Sequence, residues 1–265
     1  DMVDEDEDNM INDSVRGVDD VSGEELSPDL IKAARQEEME GFKKHQVYKY
    51  VLKKEAILDK DGKFIGVRWV DVNRGDDDLP DIRSRLVARQ IRGAHEDPMF
   101  APTPPLESLR SILSLAATDL DGEPQHDRHP RSEHRTQIQI LDISRAYFNA
   151  WVDPEEPTFV ELPPEAGAPP GTCGRLRRHM YGTQKAADGW QEEYSCFLVG
   201  KLGFKQGLAS PCLSKHPTPR MAALSVHGDD FTATGPKDQL DWFQSTLQKH
   251  YESVSYTHLT LPTKA

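Results

Sequence analysis

The run AALSVHGDDFTAT (222–234) constrains the chain more than any other stretch. Two short apolar segments flank Gly228-Asp229-Asp230, and a glycine at that point permits the tight turn of a β-hairpin. A hairpin is antiparallel, and it needs further strands or a helix to cover its apolar face. The turn also sets two carboxylates side by side. They repel each other unless they are solvated or bind a cation. Asp and Gly are ordinary turn residues, so the dipeptide alone reads first as a solvated turn and only second as a metal site.

A second stretch gives the pair a context. TQIQILDI (136–143) alternates apolar and polar residues as a strand does and ends in Asp142. Alone, Asp142 would be a strand end. One acid on a strand and a pair on a hairpin are, however, the minimum set for two-metal phosphoryl or nucleotidyl transfer. That chemistry needs carboxylates from separate elements converging on two divalent ions about 4 Å apart. Hard cations such as Mg²⁺ choose oxygen ligands, and no His/Cys cluster competes. His126, His129 and His134 fall in a polar stretch with Pro130 that reads as a loop.

The rest of the chain mixes helices with hairpins. Ser27-Pro28 starts a helix to about residue 44, with Leu30, Ala34, Met39 and Phe42 on its apolar side. AILDKDGKFIGVRWVDV (56–72) is expected to form a hairpin around Asp61-Gly62, and 74–80 a loop. Leu109, Ile112, Leu113 and Ala116 have the i, i+3, i+4, i+7 spacing of a buried helix face. FAPTPP (100–105) is a rigid connection and 121–136 a polar loop. Ala186, Trp190, Tyr194 and Phe197 mark a helix over 186–202 that Gly203 stops. Pro236 opens a last helix, with Leu240, Phe243 and Leu247 facing inward. This order predicts an α+β fold rather than a wound parallel sheet.

Charge bears on partners. The chain of 265 residues has a formal net charge of −13, which speaks against nucleic acid. Residues 1–25, however, hold eleven acids and one base, which is −10, and leave −3 for the other 240 residues. Basic residues concentrate instead at Arg83, Arg85, Arg89 and Arg92, with no acid among residues 83–92. Arg83 and Arg85 share a face if this is a strand, and guanidinium groups suit phosphate oxygens. A solvated basic face fits the same residues. Cys173, Cys196 and Cys212 are far apart and form no CxxC pair, so neither a zinc ribbon nor a disulfide framework is expected. No apolar run reaches the roughly 18 residues of a membrane span.

Taken in order, several segments resemble the reverse transcriptase domain of copia-type retrotransposon Pol polyproteins. They are GVRWV (66–70), RSRLVARQ (83–90), FAPTPPLESLRSILSLAA (100–117), LDISRAYFNAWVDPEEPTFVELPPE (141–165), RLRRHMYGTQKAADGW (175–190), GFKQGLASPCL (203–213) and VHGDDF (226–231). The last stands where the family has Tyr-Val-Asp-Asp, so His227-Gly228 replaces Tyr-Val. The resemblance runs from about Leu30 to about Tyr251.

The resemblance implies a right-hand polymerase with fingers and palm, the palm an antiparallel sheet backed by helices. It implies that Asp142, Asp229 and Asp230 are catalytic and hold two Mg²⁺ ions, with Mn²⁺ as a substitute. Tyr147 would exclude a ribose 2′-hydroxyl. Arg83 and Arg85 would neutralise the incoming triphosphate, and Gln184, or Lys185 beside it, would contact template or nucleotide. Expected partners are an RNA or DNA template with its primer, deoxynucleoside triphosphates, and integrase and RNase H regions upstream and downstream in a parent polyprotein, with no membrane. The expected setting is intracellular: cytoplasmic virus-like particles with access to the nucleus. Residues 1–26 are expected to be an acidic disordered linker, 27–253 a C-terminally truncated fingers/palm domain, and 254–265 a non-native tail. Two rivals remain. One is a catalytically silent retroelement fragment that at most binds nucleic acid. The other is a different two-metal palm enzyme such as a cyclase, which needs no template.

Overall fold

The computed structural model describes residues 17–60, 62–76, 78–90, 104–117, 136–217 and 223–252, and the backbone of 254–259. The chain divides into two units, Asp1–His95 with Trp151–Ala186, and Glu96–Ala150 with Ala187–Ala265. Elements are numbered along the chain.

In the first unit, β1 (Gly17–Val18) and β2 (Glu25–Leu26) form a small antiparallel pair ahead of helix α1 (Pro28–Lys44). Helix α1 has Pro at its start, Asp29 in its first turn and Lys43 and Lys44 in its last, each suited to the helix dipole. Its buried side is Ile31, Glu38, Met39 and Phe42, while Leu30, expected inside, is exposed. Arg35 shares that side because its guanidinium meets Asp71 at 2.7 Å and Glu165 at 3.1 Å.

Strand β3 (Tyr48–Leu52), helix α2 (Lys53–Leu58), β4 (Lys63–Ile65), β5 (Val67–Asn73) and β6 (Ile82–Ala88) follow. The hairpin expected over 56–72 does not form; Asp61 lies outside the described residues. Strand β5 instead pairs along its whole length with β6, with Trp69 opposite Leu86. Seven paired residues outweigh one local turn signal. The expected loop at 74–80 is the connection between them.

Residues 17–26 differ from the disorder their composition suggests. Asp19 accepts hydrogen bonds from the Val21 and Ser22 amides and from the Asn73 amide at 2.6 Å. The Asn73 bond, first among these, holds its carboxyl below the usual range. Asp20 accepts from the Asp71 amide and pairs with Arg68. These two acids thus serve β5 as acceptors. Residues 1–16 lie outside the described residues.

The second unit is built on a six-stranded antiparallel sheet. Its strands are β7 (Thr136–Ile143), β10 (Lys205–Gln206), β11 (Leu213–Lys215), β12 (Ala223–His227), β13 (Asp230–Pro236) and β14 (Val254–Leu259), in the order β10-β11-β12-β13-β7-β14. The intervening β8 (Thr158–Val160) and β9 (Thr172–Leu176) belong to the first unit, in the sheet β3-β9-β8-β4. In β14, part of the stretch read as a foreign tail, the backbone pairs with β7 over six residues.

Helices α3 (Leu106–Ala117), α4 (Ala186–Ser195) and α5 (Lys237–His250) accompany the sheet. Helix α4 continues as a π-helix over Cys196–Lys201, and Gly203 follows at φ +75°. Trp190 and Tyr194 on α4, Phe197 beyond it, and Leu240, Phe243 and Leu247 on α5 share one core with Leu141, Ile143, Leu224, Val226 and Phe231 of the sheet. Each such side chain contributes roughly 1.5–3 kcal/mol by leaving water. On α3 the buried residues are Ser108, Ile112 and Ala116. Leu109 and Leu113 are exposed, so the helix is rotated from the expected face: Ile112 and Ala116 are buried as expected, Ser108 joins them, and the helix lies against β7, β12 and β13.

Candidate active site

The alternation of β7, β12 and β13 sorts their residues onto two faces. Leu141, Phe231 and Val226 form one cross-strand row, buried in the core. The next row is Asp142, Asp230 and His227, which therefore points to the opposite face. Strands β12 and β13 are joined by the two residues Gly228 and Asp229, with Gly228 at φ +62°. A side chain at Gly228 would be strained by that backbone. The hairpin expected from the sequence is thus present, with Asp229 at its tip.

The Ile143 amide donates to the Asp229 carbonyl at 3.0 Å. With Asp142 opposite Asp230, this bond makes the two aspartates a non-hydrogen-bonded pair, the antiparallel arrangement with the closer side chains, Cα atoms about 4.5 Å apart. Like charges directly opposite each other cost stability. The electrostatics agree. Partial burial pushes the Asp230 carboxyl above its ordinary value, and the charges of Asp229 and Asp142 push it further, while His227 opposes them. The three aspartates singled out in the sequence are therefore brought together by one ladder and one turn.

This donor set fits a hard divalent cation: it is all oxygen, and its repulsion is what a dication would neutralise. Among the described residues, no group of three or more His, Cys, Asp or Glu side chains is arranged to hold a metal ion as the side chains stand.

Tyr147 follows β7 in a short 3₁₀ turn, Ala146–Asn149, which Arg145 enters at φ +53°. Tyr147 is partly buried and packs against the core cluster of this unit.

The other candidates lie in the first unit. Arg83 and Arg85 alternate with buried Ser84 and Leu86 on β6, so they share a face, as their spacing predicted. The Arg85 guanidinium lies 4.4 Å from the centre of the Tyr181 ring. Burial lowers the Arg83 pKa first, and the charges of Arg85 and Arg74 lower it further. An anion would relieve that repulsion. Gln184 is locked to Gln90: its backbone N–H donates to Gln90 Oε1 at 2.9 Å, and Gln90 Nε2 donates to Gln184 Oε1 at 3.0 Å. Both line a cavity of about 260 Å³ with Asp153, Glu156, His179 and Lys185. Lys185 pairs with Glu156 at 2.6 Å. Burial, and secondarily Lys185, bring the His179 pKa down to about 4.

Sequence reasoning missed three residues here. Tyr181 and Gln90 stand out in the sequence only as parts of the motifs RLRRHMYGTQKAADGW and RSRLVARQ. Trp190 was read as core, which it is, but its Nε1 also donates to the Gly228 carbonyl at 2.8 Å. The available signal was that a buried indole N–H needs an acceptor.

The pattern of the family described as reverse transcriptase (RNA-dependent DNA polymerase) matches residues 45–260. A retrovirus-related Pol polyprotein from transposon TNT 1-94 of Nicotiana tabacum is 30% identical over 212 residues, covering 76% of this chain. The chain spans 14% of that polyprotein's length. With most of its residues matched, the chain belongs to the reverse transcriptase family, and its copia-type motifs agree with the tobacco relative. Among the described residues no helix is long and apolar enough to cross a membrane.

Proposed function

We propose that the chain is the fingers and palm of an RNA-directed DNA polymerase, extending a primer 3′-hydroxyl with deoxynucleotides by two-metal nucleotidyl transfer. The observation that carries this reading is the register placing Asp142 opposite Asp230, with Asp229 on the adjoining turn. The six-stranded sheet with its helices is read as palm, and the unit carrying β5 and β6 as fingers. Asp142 and Asp229 would hold two Mg²⁺ ions, or Mn²⁺ in their place, and Asp230 would add negative charge. Held by Asp142 and Asp229, such ions would supply activation of the primer hydroxyl and neutralisation of the charge developing on the α-phosphate and the leaving pyrophosphate. Arg83 and Arg85 bind the triphosphate of the incoming nucleotide. Tyr147 excludes a ribose 2′-hydroxyl, and Gln184, held by Gln90, contacts template or nucleotide. The implied partners are a primed RNA or DNA template, deoxynucleoside triphosphates, and integrase and RNase H regions of a parent polyprotein, in cytoplasmic particles with access to the nucleus.

A primer-extension assay with Mg²⁺ tests this. Extension by the chain, abolished in Asp229→Ala, is the expected result. Absence of extension in the parent chain favours a catalytically silent fragment, and nucleotide chemistry without a template favours a cyclase-like enzyme.

A further inference from the structure

Asp229 sits in the two-residue turn between β12 and β13. The residue before it, Gly228, lies at φ +62°, and a Cβ built there would meet nothing within 4 Å. Glycine leaves a turn more conformational freedom than any other residue. Both peptide planes flanking Asp229 are nevertheless held from outside the hairpin. The plane before it carries the Gly228 carbonyl, which accepts from Trp190 Nε1 at 2.8 Å. The plane after it carries the Asp229 carbonyl, which accepts from the Ile143 amide at 3.0 Å. Peptide planes are rigid, and φ and ψ of Asp229 are the rotations between these two. The two bonds therefore determine the direction in which the Asp229 side chain leaves the backbone.

Trp190 can act as a fixed donor because its ring is itself fixed. It is 2% exposed and makes edge contacts with Tyr251, Tyr194 and Phe231 at centroid distances of 5.2, 5.7 and 6.4 Å. An indole N–H donates and cannot accept, so its one polar atom has a single use. The acceptor lies on an exposed residue, where water can replace a lost donor. The bond thus does more to orient the turn than to hold the fold together.

We propose that Trp190 is a positioning residue of the active site, its indole N–H orienting the turn so that Asp229 joins Asp142 in binding a divalent cation. This rests on the two-metal reading above. The test uses the full chain with Trp190 replaced by L-3-benzothienylalanine, whose ring has the same shape with sulfur in place of N–H. Trp190→Phe serves as a second variant and Leu240→Val as a core control. Mn²⁺ binding is followed by electron paramagnetic resonance, and the site is defined as the binding lost in Asp229→Ala. Thermal unfolding without metal is recorded for each protein. The benzothienyl variant is expected to bind Mn²⁺ about fivefold more weakly, with its unfolding midpoint nearly unchanged. Leu240→Val is expected to melt earlier and bind Mn²⁺ like the parent. Unchanged Mn²⁺ binding in the benzothienyl variant overturns the proposal alone. Equal weakening in Leu240→Val overturns it by showing a general effect of core stability. A parent chain that binds no Mn²⁺ through Asp229 overturns the two-metal reading and this inference with it.

Discussion

Asp142 and Asp230 face each other across the β7–β13 ladder as a non-hydrogen-bonded pair, the closest approach two side chains have in an antiparallel sheet. A strand pair built only for stability would not place two acids there. The arrangement stores repulsion, and Asp230, with its raised pKa, carries a visible share.

That repulsion has a measurable sign. A carboxyl whose folded pKa lies above its unfolded one binds its proton more tightly in the folded state. Its ionised form therefore opposes folding at neutral pH, and the penalty fades as pH falls through the folded pKa. Asp230→Asn should raise the metal-free stability at pH 7 by about 0.5 kcal/mol, the scale of one cross-strand like-charge pair. Melting in EDTA at pH 7 checks this, and the gain should shrink toward acid pH. The same variant should bind Mn²⁺ more weakly than the parent chain.

His179 gives the first unit an acid-sensitive point. Its folded pKa of about 4 lies below the unfolded value of about 6.5, so the unfolded chain takes up the proton first. Stability should be full above about pH 6.5 and fall progressively toward pH 4. The loss approaches about 3 kcal/mol at its fullest, since each pKa unit is worth about 1.4 kcal/mol. Denaturant unfolding from pH 7 to 4 should show this slope, and His179→Leu should flatten it.

Arg85 and Arg83 should act on nucleotide binding. Arg85→Ala is expected to raise KM for deoxynucleotide about tenfold, the scale of a lost charge-assisted hydrogen bond, with a smaller change in kcat. Arg85→Lys keeps the charge but loses the planar contact with Tyr181, so it should recover only part of the loss. Steady-state extension at varied nucleotide concentration separates the two parameters.

On the role proposed for Tyr147, Tyr147→Ala should admit a ribose 2′-hydroxyl. The ratio of ribonucleotide to deoxynucleotide incorporation is expected to rise about tenfold, the scale of a modest change in pocket shape. Single-nucleotide incorporation with each substrate measures it.

Much of this site was legible because it depends on short-range patterns. The alternation ending at Asp142, the Gly-Asp-Asp turn and the Arg83/Arg85 spacing all survive as local structure. The register that sets Asp142 opposite Asp230 is a long-range pairing, which spacing along the chain does not encode. The misread elements fail for the same reason. The 56–72 stretch has a good local turn signal, but β5 finds a longer partner in β6. Helix α3 buries Ser108 together with Ile112 and Ala116 and leaves Leu109 and Leu113 of its apolar stripe exposed, a rotation set by packing rather than by spacing. Residues 17–26 look like solvated acid until Asn73 and Asp71 supply amides for Asp19 and Asp20. Trp190 shows the limit most clearly. Its helical spacing marks it as core, while its hydrogen bond to Gly228 depends on a residue 38 positions away.

The most direct test of the central claim is single-deoxynucleotide addition to a DNA primer on an RNA template, with Mg²⁺, by the parent chain and by Asp142→Asn. This substitution keeps the size of the side chain and removes the charge facing Asp230. The account predicts Mg²⁺-dependent addition by the parent and a loss of at least about a hundredfold in the variant, the scale of removing one electrostatic group from a reaction centre. Addition by Asp142→Asn at the parent's rate would contradict it.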